Sequence, residues 1–335
     1  MRINDVAKKA GVSLATVSRV VNGKKVKKET KEKVEKIISE LNYTPNFMAS
    51  SLQRTKSNMI LVLVPAISNP YYSAILEGIG NTSKKFGYNI ILGNSYWSEE
   101  QLLDYLTLLN KRLIDGVILL ERISKKKIID KIKNENYYNK IVQCSEYFED
   151  NDLSYVTIDH KKAAYEAVSH LISIGKREIY LFSLNKDYTY VTLRKEGYLD
   201  ALKDNKIDFY PSNEILLDEL SIKNAQKHME IFIRSREIKN VGIFAISDII
   251  AIGALKAIKE KNIKIPQNIA IVGFDNIEFS AVTDPSLTTV SQPGYELGAE
   301  SFKCLLRKIN EENLLPEKII LQHELIVRDS TNKIV

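Results

Sequence analysis

Leu14, Ala15, Ser18 and Arg19 fall on one side of a helical wheel drawn through residues 14–21, and Val17, Val20 and Val21 fall on the other. The polar side is short, small and basic, and Ser13, Thr16 and Ser18 add hydroxyls suited to phosphate oxygens. This is the chemistry of recognition, in which a narrow helix face is laid against an anionic, groove-bearing surface.

The elements that must hold that face are legible on either side of it. Ile3, Val6, Ala7 and Ala10 recur at i, i+3, i+4 and i+7, which predicts a short helix ended by Gly11. Gly11-Val12-Ser13 reads as a tight turn and an N-cap serine, so a second helix starts near Leu14 and closes at Asn22-Gly23. Two short helices joined by a glycine-containing turn make a helix-turn-helix, whose second member can enter the major groove of DNA. Thr30, Val34, Ile37, Ile38 and Leu41 mark a third helix, flanked by Glu29/Lys33 and Glu32/Lys36 at i, i+4. Residues 42–46 break it, and 47–54 could add two helical turns, too few to be stable alone in water.

Charge is distributed unevenly. Residues 1–56 carry 13 Lys/Arg against 5 Asp/Glu, whereas the remaining chain carries 35 against 37. A basic head on a nearly neutral body suits counterion release at a phosphate backbone.

From Asn58 the pattern changes to apolar runs alternating with amphipathic stretches. Strands are expected at 59–64, 89–92, 116–120, 140–144, 156–158, 179–182, 241–246 and 269–272, with helices between most of them. The fold class is therefore α/β, with doubly wound parallel sheets and ligands at the carboxyl ends of strands. No Gly-x-Gly-x-x-Gly or P-loop follows a strand, so no dinucleotide, NTP or other cofactor is expected. Cys144 and Cys304 lack metal-ligand spacing, and His160, His170, His228 and His323 form no zinc pattern; both cysteines read as reduced core residues. The opening MRINDVAKKAG has no apolar export core, and no run is long enough to span a membrane, so a cytoplasmic, nucleoid-associated protein with no membrane partner is expected. No nucleophile elbow or paired base sets a reaction, so no enzyme activity is expected. A binding protein or two-lobed enzyme without specific DNA binding is the alternative reading.

The run DVAKKAGVSLATVSRVVNG, followed by ELNYTPNFMASSLQ, resembles the lactose-repressor/galactose-repressor family of bacterial regulators. In the body PAISNPYY, LRKEGY, FAISDIIAIGAL, VGFDN and DPSLTTVSQP carry the same resemblance. It implies a three-helix head at 1–44, a hinge helix or linker at 45–56, and an effector-binding and dimerisation body at 57–335 similar to periplasmic sugar-binding proteins. The first lobe would take about 57–159 and 291–318, the second about 160–290 and 319–335.

The resemblance further implies that Leu14, Ala15 and Arg19 touch base edges and that Leu52 wedges into the minor groove. Arginine can donate two hydrogen bonds to a guanine, the apolar pair suits a thymine methyl, and an inserted leucine kinks the duplex. Ser13, Thr16, Ser18, Asn22, Asn46 and Ala49 complete the expected DNA-contacting set. For the effector, Asn69, Tyr72, Asp159, Arg194, Asp248 and Asp275 are carried over; such groups suit a sugar or sugar phosphate. Asp248 could instead cap the helix it begins, Tyr72 could be a core aromatic, and His160 reads as a surface histidine. Trp97 reads as a rim or core residue.

Four positions depart from the family pattern. Lys27 stands where the third helix usually has a Ser/Thr cap, Ser145-Glu146 stands where many members have Asp-Arg, and Ser247 replaces a frequent asparagine. One recognition helix gives too little contact for specific affinity, so a homodimer on a pseudo-palindromic operator is expected. The absence of a leucine-heptad tail before Val335 favours a dimer over a tetramer. A protein corepressor is a further possible partner.

Overall fold

The computed structural model describes residues 3–21, 24–43, 56–96, 98–121, 126–148, 152–311 and 314–332. Two compact units divide the chain, Met1–Ser57 and Asn58–Val335.

In the first unit, helices α1 (Ile3–Ala10), α2 (Leu14–Val21) and α3 (Lys28–Glu40) enclose a small core of Val6, Ala10, Val17, Val20, Val34 and Ile37. Gly11 turns the chain at φ +62°, a backbone conformation that favours glycine. The Ser13 hydroxyl accepts from the Thr16 backbone N–H at 3.2 Å, which caps α2 where the sequence placed the cap. Lys27 at the start of α3 offers no side-chain cap, and the helix opens instead on the Lys31 N–H to Lys27 carbonyl bond of 3.0 Å. Lys9 and Glu40 tie the ends of α1 and α3 together at 2.9 Å.

The second unit contains two six-stranded sheets. The first orders its strands β11-β5-β4-β3-β1-β2, from β1 (Met59–Val64), β2 (Asn89–Asn94), β3 (Gly116–Leu119), β4 (Ile141–Cys144), β5 (Ser154–Ile158) and β11 (Lys318–Leu321). The second orders them β12-β10-β9-β8-β6-β7, from β6 (Glu178–Leu184), β7 (Glu214–Leu217), β8 (Val241–Ala245), β9 (Ile269–Asp275), β10 (Thr288–Ser291) and β12 (Glu324–Ile326). Pairing is parallel except between β10 and β12. Runs such as Leu61, Val62, Leu63 and Val64 are fully buried because helices cover both faces of a parallel sheet. Cys144 and Cys304 are buried free thiols.

The helices covering the sheets are α4 (Tyr71–Lys85), α5 (Glu99–Asn110), α6 (Lys126–Asn134), α7 (His160–Ser173), α8 (Thr189–Asp204), α9 (Ile222–Arg234), α10 (Asp248–Glu260) and α11 (Gly294–Asn310). The chain passes between the sheets three times: after β5, after β10, and between β11 and β12. The last passage lies close to the boundary expected at about 318/319. Ile319, Ile320 and Leu321 pair in register with Val156, Thr157 and Ile158, so the whole strand belongs to the first lobe and the crossing falls at residues 322–323. The apolar run continues through the assumed boundary because that edge strand needs all four residues.

Candidate DNA-reading face and ligand cleft

On α2, Leu14 is 46% exposed and Ala15 and Arg19 are also exposed, while Val17 and Val20 are buried. The periodicity has thus turned the base-reading candidates to solvent and the valines to the core. Ser18 and Thr16 are half-buried and Ser13 is exposed, with the Ser13 and Thr16 hydroxyls 2.9 Å apart. Asn22, Asn46, Ala49 and Leu52 lie outside the described residues, as does Trp97.

In the second unit, a cavity of about 830 Å³ opens where the loops after the strands of both lobes converge. Asn69, Tyr72, Arg194 and Asp275 all line it. Asn69 sits in the loop after β1 and its side-chain carbonyl accepts from the Tyr71 N–H at 3.1 Å, opening α4. Tyr72 is nearly buried, so it serves both the core and the cavity wall.

Arg194 lies in the second turn of α8 and is buried. Its guanidinium donates to the Ile246 carbonyl and to His160 Nδ1, lies 3.6 Å from Asp275 Oδ1, and packs over the Phe274 ring at 3.4 Å. Asp275 ends β9 with φ at +113°, a left-handed conformation that a non-glycine residue holds only under strain. It accepts from Ser247 at 3.0 Å and from Gln292 at 2.8 Å. Burial pushes its carboxyl up to about 6, with Arg194, Ser247 and Gln292 pulling the other way.

Two aspartates expected at the ligand are not among the residues lining the cavity. Asp159 is exposed and caps α7, accepting from the Lys162 N–H at 2.9 Å. Asp248 is wholly buried: it accepts from the Thr289 hydroxyl at 2.6 Å and the Ile277 N–H at 2.9 Å, tying the segment after β9 to β10. Burial first, and Asp275 second, raise its carboxyl well above the ordinary range. It does not cap its helix through its side chain either, because Ser247 takes that position by accepting from the Ile249 N–H. His160 is buried, which corrects its reading as a surface residue. Its ring bridges Arg194 to Thr157 and the Ser145 carbonyl, and burial followed by the Arg194 charge holds it well below the usual histidine range.

The departures from the family pattern are structural joints. Ser145, at φ +68°, donates its hydroxyl to the Tyr71 oxygen at 2.6 Å, the single Tyr71 proton going to Gln292. Glu146, buried on the first lobe, accepts from the Thr189 N–H at 2.7 Å and the Tyr190 N–H at 3.3 Å on the second. It supplies the cap that α8 lacks, since the Tyr188 side chain at the N-cap does not cap the helix. Tyr71, Tyr190, Phe279 and Gln292 were missed by the sequence reading. Tyr190 could have been found four residues before Arg194, whose guanidinium lies 4.9 Å from its ring. Tyr71 donates to Gln292 at 3.0 Å, and Gln292 to Asp275, so hydrogen bonds run unbroken from the first lobe to the second.

The sites therefore comprise an exposed helix face and a cavity whose polar end offers a guanidinium, a carboxylate and hydroxyls. Residues 2–46 match the family described as bacterial regulatory proteins, lacI family, and residues 57–329 match periplasmic binding proteins and sugar binding domain of LacI family. The chain is 35% identical over 332 residues to the HTH-type transcriptional regulator RegA of Clostridium saccharobutylicum, covering 98% of each. It is 32% identical over 330 residues to the HTH-type transcriptional repressor CytR of Escherichia coli K12, covering 98% of this chain and 96% of that one. The crystal structure of the Lac repressor dimer bound to operator and an anti-inducer superposes with a TM-score of 0.88 at 25% identity, over 99% of each chain. With a head, a two-lobed body and full-length relatives all in agreement, this chain belongs to the LacI family of DNA-binding transcriptional regulators.

Proposed function

We propose that the protein is a cytoplasmic repressor of a carbohydrate-utilisation operon that binds a pseudo-palindromic operator as a homodimer. Residues 1–44 form the DNA-binding domain, 45–56 the hinge, and 57–335 the effector-binding and dimerisation domain. Leu14, Ala15 and Arg19 read base edges, Ser13, Thr16, Ser18 and Asn22 hold the backbone, and Asn46, Ala49 and Leu52 act at the minor groove. The observation that carries this reading is the exposure of Leu14, Ala15 and Arg19 on a helix whose other face is sealed into the core. Exposed Ile91 and Leu92 on the edge strand β2 support association of bodies, since such a strand is left apolar only where something covers it.

A small carbohydrate in the cavity would control the head by binding one lobe arrangement better than the other. The hydrogen-bond path through Tyr71, Gln292 and Asp275 supports a body in which the cavity and the lobe arrangement are coupled. The test is selection of genomic fragments on the full-length protein, followed by titration at two salt concentrations. A shared palindromic site with salt-sensitive binding is expected. Recovery of unrelated fragments bound alike would contradict the reading.

A further inference from the structure

Among the described residues lining the cavity, the carboxylates of Glu146, Glu219 and Asp275 stand against one guanidinium, Arg194. That guanidinium is already engaged by Ile246, His160 and Asp275. Four helices begin at the cavity, and helix N-termini favour anions. At each of them, however, a side chain of the protein already accepts. Asn69 serves Tyr71, Glu146 serves Thr189 and Tyr190, Ser221 serves Asn224 and Ser247 serves Ile249. A phosphate ester entering here would lose its water beside carboxylates and meet helix ends that already hold an acceptor of the protein's own.

Much of the rest of the wall is apolar or aromatic, with Ser68, Asn69, Ser145, Ser221 and Thr283 among its uncharged polar members. Tyr72, Tyr190, Ile249, Ile252 and Ile277 line it, and at its mouth Phe279 and Val282 are 55% and 77% exposed. Its volume of about 830 Å³ lies in the upper part of the range that buries a drug-sized molecule, more than a lone sugar ring fills.

Building on the reading of this cavity as the effector site, we infer that its ligand is an uncharged molecule of two parts. A hydroxyl-bearing head binds at Asp275, Arg194 and Ser247, and an apolar or aromatic ring body packs against Tyr72, Tyr190 and Phe279. Phosphorylated sugars are excluded.

The test is calorimetric titration of the full-length protein with ribose, the common ribonucleosides, their 5′-monophosphates, and p-nitrophenyl glycosides. At least one neutral two-part compound should bind about 10-fold or more tighter than its bare sugar, and its phosphate ester about 100-fold weaker than the parent, since like charges brought together are strongly disfavoured. Phe279→Ala, at an exposed position, should cost about 10-fold on the two-part compound and leave the bare sugar unchanged. A phosphate ester or bare sugar binding as tightly as the two-part parent, or no neutral two-part compound binding, overturns the inference. Operator affinity measured in parallel separates the two levels. The predicted order of binding with no change at the operator would keep the ligand class and reject the regulatory reading. A phosphate ester that binds and shifts operator affinity would do the reverse.

Discussion

Glu146 Oε1, on the first lobe, accepts a 2.7 Å hydrogen bond from the backbone N–H of Thr189, the first residue of a helix on the second. The bond does two things at once: it neutralises a helix N-terminus that has no cap of its own, and it closes one lobe on the other. The neighbouring bond from the Thr189 hydroxyl to the Tyr147 carbonyl, at 2.6 Å, reinforces the joint.

Removing that carboxylate should loosen the closed arrangement. Glu146→Ala is expected to cost about 1–2 kcal/mol, the size of a lost N-cap, read from the denaturant midpoint of the full-length protein. Glu146→Gln keeps an acceptor oxygen and should recover part of the loss. Equal midpoints for all three proteins would show that the lobes do not depend on this contact.

Asp275 gives the cavity a pH response. Its carboxyl titrates at about 6, so the ionised acceptor is present above that value and is lost below it. Ligand affinity should therefore fall as pH drops through about 6, and binding near that pH should release a proton. Folding stability runs the other way. Because the native carboxyl holds its proton more tightly than the ordinary value of 3.8, its contribution to stability declines as pH rises from 3.8 to about 6. Calorimetry in two buffers of different ionisation enthalpy measures the proton release, and Asp275→Asn should abolish it.

Gly197 holds α8 against α7. A Cβ there would lie 2.1 Å from the Lys161 carbonyl oxygen and 2.9 Å from Ala164 Cβ. Gly197→Ala gains about 1 kcal/mol of helix propensity. Forcing the helices apart costs about 1–3 kcal/mol, so the overlap outweighs the gain. A lower melting temperature is expected, together with weaker ligand binding, because the same helix carries Tyr190 and Arg194. A higher melting temperature would refute the packing argument.

Elements carrying a repeating pattern were legible in the sequence. The 3.6-residue period exposed the α2 face, Ser13 capped where a serine should, and apolar runs such as 59–64 became buried strands. The cleft was legible only in part, because its partners come from distant segments. Asn69, Tyr72, Arg194 and Asp275 meet there, but nothing local distinguishes Asp275 from Asp159 or Asp248. Each of the three lies at or just after the carboxyl end of a strand. What separates them is which backbone N–H groups and hydroxyls the fold brings to each carboxylate, and Asp159 and Asp248 are consumed as a cap and a tie. His160 was misread for the same reason, since its burial depends on Arg194 arriving from 34 residues away. The role of Glu146 could not be read from sequence because the helix it caps belongs to the other lobe.

The most direct test of the central claim is the affinity of Arg19→Ala for the preferred operator and for random DNA, at matched salt. Loss of about 1–3 kcal/mol on the operator is expected, with preference relaxed at one base pair in each half-site and far less change on random DNA. Equal loss on both would mean that Arg19 contributes charge alone, and would contradict the assignment of this helix face as the part that reads sequence.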